Sequence, residues 1–250
     1  RTLSPQGGAM STHRGTDLRS LARSVRRRIK SWMGKDLVVS IQEHRATEYH
    51  GTDYGGWAVV PDVLSSASIV YSFGVGDDVS FDLSMIQRYG LTVHAFDPTP
   101  RSIAWVRAQS MPARFVFHDF GIGDHDGTLT LFAPEEESHM SFTVTDRAAT
   151  AQHAGVEVPV RRLSSVIREL GHERIDVLKM DIEGAEYDVL RTLEEDAIYP
   201  AQVLVEFHHR YFPDGIERTR AAIQRLNDLQ YRLVAVSSSG EEYSFLRSAR

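Results

Sequence analysis

The fold is decided by Ile-Val-Tyr-Ser-Phe-Gly-Val-Gly-Asp-Asp at residues 69–78 and by Val-His-Ala-Phe-Asp at residues 93–97. Each stretch is an apolar run; the first ends in a glycine-rich turn and the second in a carboxylate. Glycine lets the backbone approach a ligand, and an acid after the second strand of an α/β sheet can accept hydrogen bonds from ribose hydroxyls. Gly74 and Asp97 are 23 residues apart, near the roughly 20 expected of such a pair. The two stretches therefore predict a site for an adenosine-type cofactor.

Strand and helix patterns alternate along the rest of the chain. The predicted strands are 69–73, 92–96, 114–118, 175–180, 203–207, 231–236 and 242–246, and the predicted helices are 81–89, 102–109, 164–170, 185–193 and 216–229. This alternation is typical of a doubly wound α/β sheet whose strands are mostly parallel. Only Ser237–Glu241 separates the last two strands, so a hairpin must join them and the last strand must run antiparallel. Thr128–Phe132 is predicted as a short strand or hairpin arm, and residues 133–155 as an irregular insertion.

Composition and charge indicate an ordinary globular protein without a basic groove for nucleic acid. The chain has 250 residues, 42% of them hydrophobic, and it has no cysteine. Disulfides, thiolate metal sites and catalytic thiols are thereby excluded. No apolar run approaches the roughly 18 residues that span a bilayer, and we expect a cytoplasmic protein. The formal net charge is −6. Such an acidic balance argues against a nucleic-acid partner.

The segment from Arg14 to Lys35 differs from the remainder in charge. Its eight basic residues and Asp17 give it +7, which leaves −13 for the rest of the chain. Its apolar residues recur at helical spacing: Leu18, Leu21, Ala22, Val25, Ile29, Trp32 and Met33. We favour a helix that packs its apolar face on the domain, with a peripheral membrane or protein contact as the alternative.

The turn after the first strand favours a cofactor without phosphate. Gly76 is followed by Asp77 and Asp78, so the third glycine of the dinucleotide fingerprint is missing. Carboxylates are poor neighbours for phosphate, whereas S-adenosylmethionine carries a sulfonium, an amino group and a nucleoside. At least one of the two aspartates is also expected to cap the following helix.

Two further strands end in acids and a histidine. In an extended strand Lys179, Asp181 and Glu183 would share one face, and Glu206 and His208 follow the next strand. These groups suit a general-base site, in which His208 takes a hydroxyl proton. They also suit an oxygen-rich divalent-metal site, and a divalent metal stays an alternative that we do not predict. The plain interpretation is a hydrogen-bonded network that supports the turns.

Three segments together resemble the FkbM-type methyltransferases. They are residues 71–82 around the glycine turn, residues 93–100 and residues 179–186, which read Lys-Met-Asp-Ile-Glu-Gly-Ala-Glu. The resemblance implies a seven-stranded class I methyltransferase sheet of the Rossmann-like type, with S-adenosylmethionine over Gly74 and Gly76 and Asp97 on the ribose. By position it implies Asp119 and Phe120 near the adenine. Ser72 departs from the family, in which an acid commonly begins the glycine motif.

The interpretation is an S-adenosylmethionine-dependent methyltransferase that acts on a hydroxyl of a small-molecule, sugar or lipid acceptor. The residues assigned to cofactor binding are Ser72, Gly74, Gly76, Asp78, Asp97, Pro98, Asp119, Phe120 and Asp181. The candidates for the catalytic base are His208, then Glu183, then His139. The alternatives are a nucleoside-binding module without catalysis and an NAD-dependent oxidoreductase. The predicted divisions are a disordered lead or cloning remnant at 1–13, the basic helix with a lid region at 14–66, and the cofactor-binding domain at 67–250.

Overall fold

The computed structural model describes residues 36–132 and 155–248. Three predicted features lie outside these residues: the lead at 1–13, the basic helix at 14–35, and the insertion after residue 132, with His139. The chain divides into two units after Val38, and the sheets belong to the second, residues 39–250. Among the described residues, no helix is long and apolar enough to cross a membrane.

Twelve strands and five α-helices lie within the described residues. The strands are β1 Glu48–His50, β2 Trp57–Val59, β3 Ile69–Phe73, β4 Thr92–Phe96, β5 Phe115–His118, β6 Gly121–Gly123, β7 Gly127–Leu131, β8 Val156–Arg162, β9 Val177–Met180, β10 Gln202–Glu206, β11 Tyr231–Val236 and β12 Glu242–Arg247. The helices are α1 Ser80–Tyr89, α2 Pro100–Arg107, α3 Leu163–Leu170, α4 Glu186–Glu195 and α5 Gly215–Asp228. Each of the five predicted helices is present within two residues of its expected bounds.

Seven strands form the central sheet, in the order β11-β12-β10-β9-β3-β4-β5. The pairs from β10 to β5 are parallel, whereas β12 runs antiparallel to both β10 and β11. This confirms the predicted doubly wound, seven-stranded, mostly parallel sheet with an antiparallel last strand. The chain order reverses between β3 and β9, and ligands of such sheets bind outside the carboxyl ends of the strands at that point.

The central strands are buried because helices cover the sheet, which is why these strands read as continuous apolar runs. Phe81 and Met85 of α1 pack with Val70, Val93 and Val177 of the sheet in one core cluster. α1 ends at Gly90, whose left-handed backbone closes the helix before β4 begins. The core therefore holds the ends of β3 and β4 in fixed positions, with the glycine turn between β3 and α1.

Two small sheets flank the carboxyl edge, and the sequence indicated neither in full. β1 and β2 form an antiparallel hairpin within the predicted lid region, for which no strands were expected. The predicted strand at Thr128–Phe132 is present as β7, but it is not an arm of a hairpin with β6, because β8 lies between the two. Its antiparallel partner is β8, which the sequence did not indicate. Val158 and Val160 of β8 are buried and alternate with exposed positions, as a half-buried strand requires. Pro159 breaks this signal, because proline argues against a central strand.

Candidate active site

A cavity of about 450 Å³ opens at the carboxyl edge of the sheet. Its size is that of a small-molecule or cofactor site. Eight of the residues predicted for the site line it: Gly74, Gly76, Asp78, Asp97, Pro98, Asp181, Glu183 and His208. Ser72 is fully buried in β3 and does not line it. Asp119 and Phe120 do not line it either.

Gly74 is where β3, β4 and β9 come together. Its amide donates to the Phe96 carbonyl at 3.0 Å, and its own carbonyl accepts from Lys179 Nζ at 2.8 Å. Its φ is +87°, and a Cβ added there would lie 1.8 Å from the carbonyl oxygen of Asp181. Only glycine fits, because the backbone after β9 occupies the space of a side chain. The absence of a side chain at the first glycine of the motif therefore makes room for the backbone that follows β9.

Gly76 faces open space, unlike Gly74. Its φ is +56°, and an added Cβ would meet nothing within 4 Å. The amides of Val75 and Gly76 both donate to Asp97 Oδ2 at 3.0 Å. Asp97 Oδ1 accepts from the Thr99 amide at 2.9 Å and the Thr99 hydroxyl at 2.6 Å. The four acceptor positions of this carboxylate are thus filled by protein donors, which hold the glycine turn against the end of β4.

The start of α1 is tied to the β1–β2 hairpin. Asp78 accepts from the Ser80 amide at 2.7 Å and from the Thr52 hydroxyl at 2.7 Å, so it joins the first residue of α1 to the hairpin loop. The expected N-cap by an aspartate is not formed, because Val79 occupies the N-cap position. The Thr52 amide donates in turn to Ser80 Oγ at 2.9 Å. Tyr54, at the tip of this loop, is 77% exposed and lines the cavity. The loop thus forms one rim of the cavity.

Asp82, on the first turn of α1, is a cavity residue that the sequence analysis missed. It is 2% exposed, and its Oδ1 has no hydrogen-bond partner among the described residues. Burial raises its pKa to about 6, against the opposing effect of nearby Lys179. Ser72 lies close enough to favour the charged form of Asp82, but its hydroxyl makes no well-formed hydrogen bond. A serine where the family has an acid was the available signal that another carboxylate serves this part of the cavity.

Carboxylates surround His208 at the other end of the cavity. Its Nε2 lies 3.3 Å from Glu183 Oε2, 3.7 Å from Asp181 Oδ1 and 3.8 Å from Glu206 Oε1. Its Nδ1 lies 3.3 Å from Oε1 of Glu186, and the same oxygen accepts from the His208 amide at 2.8 Å. We call these five residues the His208 cluster. The structure therefore brings together the acids and the histidine that the sequence placed at two neighbouring strand ends.

The route by which Glu183 reaches the cluster differs from the prediction. β9 ends at Met180, so Asp181 and Glu183 do not alternate along an extended strand with Lys179. Glu183 has a left-handed backbone, with φ of 54°, and Tyr211 donates its hydroxyl to Glu183 Oε2 at 2.9 Å. A turn, and not strand periodicity, directs its carboxylate toward His208. The expectation of a shared strand face was wrong because it extended the alternation of a strand beyond Met180, where both the predicted strand and β9 end.

The surroundings within the cluster shift the pKa values of His208 and Glu206. Burial alone would lower the pKa of His208, but Glu186, Glu183 and Asp181 offset it and raise that pKa well above 6.5. Burial raises the pKa of Glu206 well above its usual range, and Asp181, Glu242 and Glu183 add to the effect while His208 opposes it. Glu206 and Glu242 are direct cross-strand neighbours of β10 and β12. Like charges in that position repel each other.

The far wall of the cavity is apolar and comes from the small sheet. Gly121 lies against Pro98, and the apolar lining is Ile122, Leu129, Leu131, Val158 and Val160. Asp119 is instead an exposed partner of Arg107, at 3.0 Å. Phe120 is buried behind the wall, with the Arg161 guanidinium 4.2 Å from its ring centre. The residues expected beside the adenine by position thus lie outside the cavity, because β6 begins directly after Phe120 and places the next residues in the wall.

The charge of the cavity is strongly one-sided. Its lining contains ten carboxylates: Asp53, Asp77, Asp78, Asp82, Asp97, Asp181, Glu183, Glu206, Glu241 and Glu242. The cationic or titratable nitrogen groups in the described lining are Lys179 and His208. Such a surface favours a cationic ligand and disfavours a phosphate.

Comparisons with known proteins agree with this arrangement. A family model described as "Methyltransferase FkbM domain" matches residues 61–233. The chain is 32% identical over 146 residues to "Probable methyltransferase-like protein 24" of Rattus norvegicus, which covers 58% of this chain and 33% of that protein. It is 28% identical over 175 residues to "31-O-demethyl-FK506 methyltransferase FkbM" of Streptomyces tacrolimicus, covering 58% of this chain and 67% of the relative. The chain therefore spans about a third of the length of the first relative.

A solved structure is also similar. The crystal structure of Methyltransferase FkbM from Methylobacillus flagellatus KT superposes with a TM-score of 0.45 at 15% identity. The superposition covers 73% of this chain and 44% of that one.

Proposed function

The chain belongs to the FkbM methyltransferase family, as the segments around Gly74, Asp97 and Asp181 predicted, and we propose from this that it transfers a methyl group from S-adenosylmethionine to a hydroxyl. The acceptor class is a small molecule, sugar or lipid. The observation that carries the proposal is the cavity at the switch point of the sheet, with its ten carboxylates. A cofactor with a sulfonium and an ammonium group suits this surface, whereas the pyrophosphate of NAD would be repelled by it.

We call the end of the cavity around Gly76 and Asp97 the glycine half. Its residues fit the cofactor. Gly76 leaves free the space that a side chain would fill, so a nucleoside can approach the backbone there. Asp97 is the proposed partner of the ribose hydroxyls, which would share or replace the hydrogen bonds from Thr99. The adenine is proposed to lie against Pro98 and the apolar wall, not beside Asp119 and Phe120.

Asp82 is the proposed partner of the methionine ammonium group. Its carboxylate is buried and lines the cavity, and one of its oxygens has no hydrogen-bond partner among the residues that the structure describes. A buried polar atom of this kind costs free energy until a ligand donates to it. Asp78 is less suited, because its two oxygens already accept from Ser80 and Thr52. Asp82 of α1 would thus take the place of the acid that commonly begins the glycine motif in the family, where this chain has Ser72.

The His208 cluster is the proposed acceptor end. S-adenosylmethionine supplies a methyl group on a positively charged sulfur, which an oxygen can attack directly when the two are aligned. Although burial opposes it, the carboxylates of Glu186, Glu183 and Asp181 raise the pKa of His208 and favour its protonated form when no cation lies beside it. Glu183 is therefore the proposed proton acceptor for the substrate hydroxyl, and the Tyr211 hydroxyl holds its carboxylate in position. His139 lies outside the described residues and stays a prediction.

An oxygen acceptor is supported by a relative's name. The Streptomyces tacrolimicus relative is named for 31-O-demethyl-FK506, a compound that lacks a methyl group on an oxygen. The hairpin loop with Tyr54 and the insertion at 134–155 are the proposed selectors of the acceptor.

Calorimetric titration with S-adenosylmethionine, S-adenosylhomocysteine and NAD tests the cofactor. We expect the two adenosyl compounds to bind and NAD not to bind. Gly76→Leu should abolish binding by filling the open space beside the glycine. Gly171→Leu is the matched control, because Gly171 has a similar φ of +69° and equally open surroundings but does not line the cavity. Binding of NAD alone would overturn the proposal in favour of an oxidoreductase, and binding of none of the three would favour a module without this cofactor.

A further inference from the structure

The atoms around His208 Nε2 are spaced in an unusual way. A charge-assisted hydrogen bond between imidazolium and carboxylate is about 2.7–2.9 Å long. Asp181 Oδ1 and Glu206 Oε1 lie instead at 3.7 and 3.8 Å from Nε2. One ligand atom from each of the three residues lies within 4.8 Å of the other two. Ligands about 2.1 Å from a six-coordinate cation are roughly 3 to 4 Å apart. The spacing is nearer to that of atoms around a shared ion than to that of direct ion pairs.

The orientation of His208 is independent support. The side chain is 96% buried, and its Nδ1 is held by the fully buried Glu186. Nε2, which makes no well-formed hydrogen bond among the described residues, faces the cavity. A carboxylate on one ring nitrogen leaves the other free as a ligand, which is how metal-binding histidines are usually held. Glu183 does not belong to the ligand set, because it accepts from the Tyr211 hydroxyl.

The charge balance points the same way. Asp181 and Glu206 have no lysine or arginine partner within residues 36–132 and 155–248. Lys179, the nearby ammonium group, donates to the Gly74 carbonyl on the other side of β9. Glu206 also lies directly opposite Glu242 in the sheet. Several carboxylates in a partly buried site repel one another unless a cation lies among them.

We propose that Asp181, Glu206 and His208 form a binding site for one divalent cation of the Mg²⁺ and Mn²⁺ class at the acceptor end of the cavity. Two carboxylates and one imidazole are a donor set that such ions accept, and Mn²⁺ tolerates the nitrogen better than Mg²⁺ does. Three protein ligands leave further coordination positions open toward the cavity. The role of the ion rests on the proposed function: a substrate hydroxyl would bind at an open position, and the ion would make that hydroxyl more acidic.

Electron paramagnetic resonance of Mn²⁺ tests binding without reference to activity. The full chain is freed of metal with EDTA, dialysed and titrated with Mn²⁺, and the signal of free hexaaqua Mn²⁺ is followed. We expect one Mn²⁺ bound per chain, displaced by excess Mg²⁺. Absence of saturable binding at one equivalent would overturn the proposal.

Isosteric variants identify the ligands. Asp181→Asn and Glu206→Gln should each weaken Mn²⁺ binding at least tenfold, while circular dichroism shows that both fold. Glu217→Gln removes the same charge from an exposed acid outside the cavity and should bind within twofold of the wild type. Equal affinity in all three variants would mean that Mn²⁺ binds elsewhere, and the proposal would be wrong.

Calorimetry with S-adenosylmethionine in EDTA separates this proposal from the proposed function. Cofactor binding without any Mn²⁺ binding would leave the methyltransferase proposal in place and remove the metal site. Mn²⁺ binding that depends on Asp181 and Glu206, without cofactor binding, would support the site and overturn the proposed function.

Discussion

The two halves of the cavity treat their carboxylates in opposite ways. In the glycine half, Asp97 accepts four hydrogen bonds at 2.6–3.0 Å from backbone and hydroxyl donors. In the His208 cluster, Asp181 and Glu206 stand at 3.7–3.8 Å from the same imidazole nitrogen, and Glu206 faces Glu242. The hydrogen bonding of Asp97 is complete within the protein, whereas the second half is crowded with carboxyl groups. Removal of the Asp97 carboxylate should therefore destabilise the first half, and removal of a carboxylate from the His208 cluster should stabilise the second.

The largest effect is expected from the glycine that joins the two halves. Gly74→Ala would place a Cβ against the Asp181 carbonyl at a positive φ, so the ends of β3 and β9 must separate. We expect a loss of more than about 3 kcal/mol in the free energy of unfolding, or no folded protein. Gly76→Ala has strain but no clash, and should cost about 1 kcal/mol. Urea denaturation of both variants measures the difference; equal costs would show that the close approach to Asp181 is not rigid.

Asp97→Asn tests the complete half. An amide in place of the carboxylate puts a donor against the donors of Val75, Gly76 or Thr99, so at least one of these groups loses its acceptor. We expect a loss of about 2 to 3 kcal/mol in the free energy of unfolding and at least a tenfold loss of affinity for S-adenosylmethionine. Urea denaturation and calorimetry measure the two effects. Unchanged stability would mean that the turn does not depend on this carboxylate.

Glu206→Gln makes the same chemical change in the crowded half and should have the opposite sign. In EDTA at neutral pH, the unfolded chain ionises Glu206, whereas burial and then Asp181 raise its pKa to about 9 in the folded chain and keep it protonated. Glutamine does not titrate, so the variant avoids the free-energy cost of this protonation. We expect the free energy of unfolding to rise by about 1 to 2 kcal/mol. Glu217→Gln, with its exposed side chain, is the control for the change in net charge. A destabilised Glu206→Gln variant would show that the cluster is held together by its own ion pairs.

The difference between the halves also explains what the sequence could predict. The central sheet could be predicted from apolar runs, glycines and the order of elements along the chain. These local signals agree with the packing around β3 and β9. Gly76, Asp97, Asp181 and His208 could be placed in one cavity, since the carboxyl ends of parallel strands share an edge. The placement of these residues depends on the order of the strands, and that order can be predicted from the spacing of strands and helices along the chain.

Other features depend on contacts that no local pattern records. The left-handed turn at Glu183 replaces the expected strand geometry, and β8 was hidden by Pro159. Asp82 looked like an ordinary acid in the first turn of a helix, where negative charge is favourable anyway. Its orphaned oxygen depends on the depth at which α1 packs on β3, beside Ser72. Whether a buried side-chain atom has a hydrogen-bond partner can be learned only from the three-dimensional structure.

The smallest predicted effect concerns the sheet beneath the glycine half, where His94 packs with His118, His172 and Tyr71. Burial, and then the neighbouring His172 and His118, lower the pKa of His94 to about 4. The unfolded chain therefore binds a proton below about pH 6.5, while the folded chain resists it until about pH 4. Stability should accordingly fall as the pH drops from 6.5 to 4, and His94 should contribute on the order of 1 kcal/mol of that fall after solvent screening.

His94→Phe keeps an aromatic ring in the stack and removes the titrating group, so urea denaturation between pH 7 and pH 4 should show a flatter slope than the wild type. His125→Phe is a control, because it should change the slope of stability against pH in the opposite direction. The hydrogen bond that His125 donates to Asp124 raises the pKa of His125. His125 therefore favours the folded state as the pH falls, and its removal should steepen the slope. If the His94→Phe slope instead matches the wild type, acid sensitivity does not arise beneath the glycine half. The carboxylates of the cavity would then be the groups that set the pH dependence of this sheet, and the contrast between its two halves would extend to stability.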